Sequence, residues 1–365
     1  MTDLASPPVD AAFDEEAAGA LIGRLFESAV GSIEILTVLL GHRLGLYAAL
    51  DAADGASTAP SLAASTGLDE RYVEEWLAQQ VTAGLLTISP GESLEVVLDP
   101  AARAVLVDDS SPFYGISMAL LLAGIADALP QVEQAFRTGG GVSFGEFGDD
   151  VRHGQALFNR FAFTNDLVDS WVDVAGVRPL LERPGARVLD LGCGVGWSTI
   201  ALAQAFPTAS FVGVDSDEAS VLDARAEAAM AGVADRVSFE VADAAGPWAP
   251  ASYDLVTVFE ALHDMSRPGD VLAAARAALR PGGRVLVMDE GVEDELTPNG
   301  TPVERLMAAS SVLHCLPVGR SDADEHAVGT MLRPSIMRSL ASGAGLESVE
   351  VLPIEHDFFR FYLLS

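Results

Sequence analysis

The chain contains no lysine: all 21 of its basic residues are arginine, set against 53 acidic ones. That absence removes every mechanism built on a lysine Schiff base or on the lysine of a phosphate-binding loop. The formal net charge of −32 and a pI near 4.2 describe a surface that repels nucleic-acid phosphates and anionic lipid. Nucleic acid is therefore a poor candidate partner. Cysteine is nearly missing as well. Cys193 and Cys315 stand far apart and offer neither a disulfide framework nor a zinc-ligand spacing, so no metal is expected. The uncharged apolar run from Tyr114 to Ala126 stops at Asp127, short of the ~20 residues that span a bilayer. Residues 1–10 carry acid and proline where a secretory signal would need an apolar stretch. A cytoplasmic protein without a membrane partner is the expectation.

What is present is ample apolar material. Half the residues are hydrophobic, mean hydropathy is +0.30, and 365 residues predict two or three domains. Residues 1–20 read as an acidic, flexible tail. Residues 21–108 open with an amphipathic stretch through Leu25, Ile33, Leu36, Leu39 and Leu40. A short helix, a turn at Gly67 and a longer helix from about Asp69 to Ala83 follow. Two β-like pieces, 85–88 and 94–98, flank the turn SPGES. Three helices and a hairpin are the winged-helix order. The second helix of that motif would read DNA, yet here it carries Asp69, Glu70, Glu74 and Glu75 against one Arg71. It has the wrong sign for phosphate, so the domain reads as a scaffold. Ile33, Ile35, Leu36, Leu39, Leu40, Leu44 and Tyr47 add more apolar surface than so small a domain needs, which predicts a homodimer through this domain.

Residues 109–182 read as a helical connector that lines a pocket, interrupted by the glycine-rich stretch 137–150. From 183 to 365 short β runs alternate with helices: 187–191, 210–215, 237–243, 253–260, 284–290, 346–352 and 358–364. Alternation of this kind predicts a parallel sheet covered on both faces. Only PIEHD separates the last two runs, too little for a crossover, so they must form an antiparallel hairpin.

The chemistry concentrates at the strand ends of this α/β region. In VLDLGCGVGWS (188–198) a strand gives way to Gly192, Gly194 and Gly196 and then to a helix. Glycine lets a ligand approach the backbone and tolerates positive φ. The spacing is G-x-G-x-G, where a nicotinamide dinucleotide site has G-x-G-x-x-G. Asp215, Asp243 and the pair Phe259–Glu260 close successive strands, where open α/β sheets bind ligands. Asp215 can accept both hydroxyls of a ribose, and Asp243 an exocyclic amine.

These residues resemble the class I S-adenosylmethionine-dependent methyltransferases over about 185–365. The likeness includes the lead-in LRPGGRVLVMDE (279–290). FEALHDM, the closing VEVLPIEHDFFRFYLL and the N-terminal domain extend it to bacterial winged-helix small-molecule methyltransferases and their plant-type O-methyltransferase relatives. The resemblance implies a seven-stranded Rossmann-like α/β sheet with its seventh strand antiparallel, and S-adenosylmethionine as cofactor, with S-adenosylhomocysteine as product. It also implies a cofactor set of Asp190, Gly192, Cys193, Gly194, Gly196, Asp215, Ser216, Asp243, Ala244, Phe259 and Glu260. The methyl acceptor would be a small, largely apolar metabolite, most simply attacked at oxygen. His263 with Asp264 would be the catalytic pair, the imidazole taking the proton of a hydroxyl. Phe158, Asn159, Met307 and His314 would line the acceptor pocket, with 291–320 covering it. Nitrogen or carbon methylation, a non-catalytic cofactor-binding regulator and a nicotinamide-dependent oxidoreductase are the alternatives.

Overall fold

The computed structural model describes residues 13–53, 55–89, 95–322 and 327–365. They form two compact units that divide between Asp108 and Asp109.

In the first unit, helix α1 (Glu15–Arg43) starts within the stretch expected to be a tail. The acids there begin the helix: the Asp14 side chain accepts from Ala17 N–H, and Glu15 and Glu16 stand in the first turn, where negative charge meets the positive end of the dipole. Helices α2 (Leu46–Ala52), α3 (Ala59–Thr66) and α4 (Glu70–Thr82) follow. Gly67 ends α3 in the left-handed conformation, and Asp69 caps α4 through the N–H groups of Arg71 and Tyr72. Strands β1 (Thr87–Ile88) and β2 (Val96–Val97) pair antiparallel. Residues 90–94 of the expected turn and second strand lie outside the described residues. Helix α5 (Pro100–Leu106) closes the unit. Tyr47 and Leu39, expected on the free surface, are buried, because Tyr47 packs edge-on to Trp76 and donates to the buried Gln80. Ile22, Leu25, Phe26, Ile33, Leu36 and Leu40 stay exposed along α1. Among the described residues α1 is long and apolar enough to cross a membrane by length and composition, as is the bent pair Ile116–Asp127 and Leu129–Thr138 if taken as one span.

In the second unit, α6 (Ile116–Asp127), α7 (Leu129–Thr138) and α8 (Gly148–Asp166) precede the sheet. Helices α6 and α8 approach closely: a Cβ on Gly154 would come within 2.9 Å of Leu121, and one on Gly124 within 2.6 Å of Val151. The residues read separately as a connector therefore share one compact unit with the sheet.

Strands β3 (Arg187–Leu191), β4 (Ser210–Asp215), β5 (Val237–Val241), β6 (Tyr253–Phe259), β7 (Leu279–Glu290), β8 (Val349–Val351) and β9 (Phe359–Leu364) form one sheet in the order β5-β4-β3-β6-β7-β9-β8. The first five run parallel; β9 is antiparallel to both β7 and β8. Successive β3 side chains serve opposite cores, Val188 on one face and Leu189 and Leu191 on the other. Strand β5 stops at Val241, so Asp243 sits in the following loop and not at the strand's last position. Strand β8 is shorter than 346–352, and β7 takes in the lead-in from Leu279.

Candidate active site

The glycine turn follows directly from β3. Gly192, Gly194 and Gly196 all have positive φ, 74°, 51° and 83°, but their surroundings differ. A Cβ on Gly192 would meet Ala261 at 2.5 Å, and one on Gly196 would meet the Phe239 ring at 2.6 Å. At Gly194 nothing lies within 4 Å, so that residue leaves open space above the backbone. Asp190, grouped with the cofactor site, was expected to orient the loop. It lies 1% exposed beneath the turn, accepting from Ser198 and Thr199 on one oxygen and Thr257 on the other at 2.6–2.7 Å. Burial raises its pKa against these three bonds. Asp190 ties the turn to the helix start and to β6; it is a positioning residue.

Above the turn is a cavity of about 750 Å³, within the size range of small-molecule sites. Gly192, Cys193, Gly194, Gly196, Asp215, Ser216, Asp243, Ala244, Phe259, Glu260, Asn159 and Asp264 all line it. Asp215 accepts from Gly194 N–H at 2.8 Å and Asp217 N–H at 2.9 Å, while burial raises its pKa. Asp243 accepts from Ala245 N–H and pairs with Arg267 at 2.5 Å. Glu260 holds a left-handed backbone, φ 49°, unusual for a side chain of this kind and typical of functional sites. Asn159 Nδ2 donates to Glu260 Oε2. Burial pushes the Glu260 carboxyl up to about 7, against that hydrogen bond and nearby His263.

One face of α8 was missed apart from Asn159. Arg152, Gln155, Ala156 and Phe163 also line the cavity, and Arg152 pairs with Asp217 at 3.1 Å. Their helical spacing was visible, since 152, 155, 159 and 163 share a face, but nothing in the sequence said which way that face turned. Gln155 Oε1 and Asn159 Oδ1 are buried acceptors without a hydrogen-bond partner. Two orphaned acceptors, wall carboxylates that include Asp215, Asp217 and Asp243, and an open glycine backbone suit a ligand rich in donors and positive charge. S-adenosylmethionine, with its ammonium, sulfonium and ribose hydroxyls, fits that donor set.

His263 departs from expectation. It is 1% exposed and does not line the cavity. Its Nδ1 lies 3.0 Å from Asp289 Oδ1 and its Nε2 3.3 Å from Asp264 Oδ1. Burial lowers its pKa, but Asp289 and Asp264 outweigh that and leave it well above the ordinary value. Both ring nitrogens of His263 therefore face carboxylates, and the ring is absent from the cavity lining. Glu290 lies behind, its carboxyl pushed well up by burial and by Glu260.

Three further pocket residues are corrected. Phe158 packs edge-on to Phe358 and Phe359. Met307 is a buried residue of the helix Pro302–Ser310. His314 is buried edge-on against Phe144 and Phe147, with its pKa lowered by burial. None of the three lines the cavity: Phe158 on α8 turns to Phe358 and Phe359, and of the 291–320 segment only Val318, with Ser321 and Asp322 just beyond, contributes to the lining.

A parallel sheet with its last strand inserted antiparallel carries a glycine turn after β3 and an acid at the end of β4. Residues 182–333 match the methyltransferase domain family, and 32–107 match the Rv2258c-like winged HTH domain. The ubiquinone biosynthesis O-methyltransferase of Pseudomonas aeruginosa is 30% identical over 197 residues, 53% of this chain and 76% of that protein. The 27-O-demethylrifamycin SV methyltransferase of Amycolatopsis mediterranei is 42% identical over 117 residues; the match spans 32% of this chain and 42% of that relative's length. Among solved structures, the mitomycin 7-O-methyltransferase MmcR superposes with a TM-score of 0.67 at 20% identity, covering 96% of this chain and 99% of the other. Human N-acetylserotonin methyltransferase, in complex with SAM, gives 0.65 at 17% identity over 97% and 98%. The chain belongs to the S-adenosylmethionine-dependent methyltransferases.

Proposed function

We propose that the protein transfers a methyl group from S-adenosylmethionine to an oxygen of a small, largely apolar metabolite. The observation that carries this reading is one cavity lined by Gly194 and Asp215 together with the apolar Phe163, Phe259 and Val318 and the polar Gln155, Asn159 and Glu260. The rifamycin, mitomycin and ubiquinone relatives are named for oxygen methylation. The cofactor supplies an electrophilic methyl on sulfur. Gly192 and Gly194 keep the backbone free for its aminoacyl end, Asp215 takes the ribose, and the Asp243–Ala244 loop borders the adenine. Catalysis rests mainly on holding two reactants in line.

Glu260 replaces His263 as the group that removes the acceptor's proton. It reaches the cavity, and the oxygen not engaged by Asn159 accepts the hydroxyl hydrogen. A carboxyl near 7 is matched to that task at neutral pH. Glu260→Gln is expected to lower kcat by ~10²–10⁴ with little change in S-adenosylhomocysteine affinity. Equal loss of both would make Glu260 a cofactor ligand only.

The first test is calorimetry with S-adenosylhomocysteine and with NADH; binding of NADH alone would overturn the reading. Mass spectrometry of cell extract incubated with labelled S-adenosylmethionine then identifies the acceptor and the atom methylated. Nitrogen or carbon methylation would appear there directly.

We also read the protein as a cytoplasmic homodimer. Ile22, Phe26, Ala29, Ile33, Leu36 and Leu40 of α1 repeat at alternating four- and three-residue steps, the seam of a coiled coil, and Arg24, Glu27 and Glu34 interrupt the helix as a bilayer span. Their exposure favours a second copy over lipid.

A further inference from the structure

The carboxylate that closes β4 is held from two directions. Asp215 Oδ2 accepts from Gly194 N–H at 2.8 Å, and Oδ1 accepts from Asp217 N–H at 2.9 Å. Two ribose hydroxyls would use those same two oxygens, so their placement sets the fit. The first hold is firm, because Gly194 belongs to the turn that Asp190 braces from below. The second is only as steady as the loop 215–217. There Asp217 Oδ2 accepts from Ser220 N–H at 2.9 Å and Ser220 Oγ at 2.7 Å, capping the helix Glu218–Met230. Arg152 of α8, 65 residues earlier, donates from Nε to that oxygen at 3.1 Å, and from Nη1 to Asp149 at 2.8 Å. The Arg152 and Asp217 side chains are each 11% exposed, and both residues line the cavity.

We propose that Arg152 is a positioning residue for the cofactor's ribose, acting through Asp217 on Asp215. The inference rests on the assignment of Asp215 to the ribose. Arg152 carries a planar guanidinium whose orientation is set by two carboxylates on different elements. Its hold on Asp217 fixes the backbone of the 215–217 loop, and with it the N–H that aims Asp215 Oδ1. Without the cation, Asp217 still caps its helix through Ser220, but nothing draws the loop toward α8. Hydrogen bonds weaken steeply with distance and angle. A misaimed Asp215 therefore loses the ribose while the adenine and aminoacyl contacts remain. The arginine's own charge is answered by Asp217 and Asp149, so it sets no uncompensated positive charge beside a sulfonium ligand. The same contact ties α8, which brings Gln155 and Asn159 to the cavity, to the loop that holds the cofactor.

The test is calorimetry on the full chain, comparing S-adenosylhomocysteine with the analogue that lacks both ribose hydroxyls; no methyl acceptor is needed. The wild-type chain is expected to bind the analogue at least ~10-fold more weakly, having lost hydrogen bonds to a charged acceptor. Arg152→Gln is expected to weaken S-adenosylhomocysteine by ~10-fold, in the range for residues sharing one hydrogen-bond network, and to leave the analogue within about 2-fold. Discrimination between the two ligands then narrows. Arg152→Lys should recover part of the loss. Asp217→Asn keeps a helix cap but removes the charge, so it should repeat the Arg152→Gln pattern, and the double variant should add little to either single one. Circular dichroism checks that each variant is folded; if Arg152→Gln is not, Asp217→Asn decides. Equal weakening of both ligands would make Arg152 a structural residue or a direct contact to their shared part, and would overturn the proposal, as would no weakening of either. A wild-type chain that binds both ligands equally would instead withdraw the ribose assignment of Asp215, and the role of Arg152 with it.

Discussion

Gly194 and Gly196 share a left-handed backbone but answer to different neighbours, and substitution separates them. Gly194→Ala puts a methyl into the open cavity at a strain of ~1–2 kcal/mol, so S-adenosylhomocysteine affinity should fall at least tenfold while the fold survives. Gly196→Ala drives a methyl into the Phe239 ring 2.6 Å away and should cost about 1–3 kcal/mol of stability. Thermal melting beside calorimetry distinguishes the two. Glu260 gives a pH signature. Its folded carboxyl titrates near 7 against an ordinary 4.5, so over that window the native state holds a proton that the unfolded chain has released. Stability from this group is full below pH ~4.5 and declines as pH rises through about 7, by up to about 3 kcal/mol. Melting curves across that range should flatten in Glu260→Gln; an unchanged slope would assign the effect to other groups.

At the scale of elements, Asp190 joins β3, the helix after the glycine turn and β6 through three buried hydroxyls. Asp190→Ala leaves those hydroxyls without an acceptor and should destabilise the protein by about 3 kcal/mol or more, measured by denaturant unfolding. Cofactor affinity should drop with it, since the turn loses its underside. The helix α1 carries a second element-level prediction. Ile33 is 66% exposed at the middle of the apolar seam. Ile33→Asp should convert a dimer to a monomer in sedimentation while leaving helical content unchanged, because the face that packs within its own unit uses Val38 and Leu39.

For the whole molecule, charge sets the conditions. With −32 on each 38.1 kDa chain, long-range repulsion opposes pairing, so the dimer should tighten as salt screens it. A monomer at micromolar concentration and moderate salt would defeat the dimer reading. The same charge argues that the winged helix is a scaffold. Sequence-specific DNA retardation in a gel would instead favour a cofactor-sensing regulator.

Much of this was legible in one dimension, because it depends on local chemistry. The glycine spacing, strands 187–191 and 210–215, the turn at Gly67 and the terminal hairpin each follow from a few adjacent residues. The strand-end acids follow too, because a parallel sheet delivers successive strand ends to one edge. Tertiary structure decided what depends on direction and on burial. A histidine–aspartate pair in a loop looks the same whether it faces a cavity or is buried between Asp289 and Cys315, 26 and 52 residues further on. Arg152 and Gln155 form part of the site only because α8 turns that face toward β6. Phe158, Met307 and His314 are apolar or aromatic enough for a pocket, and packing took them into the core instead. Residue type and spacing specify what a segment can do; the fold decides which solvent, which charge and which partner each side chain meets.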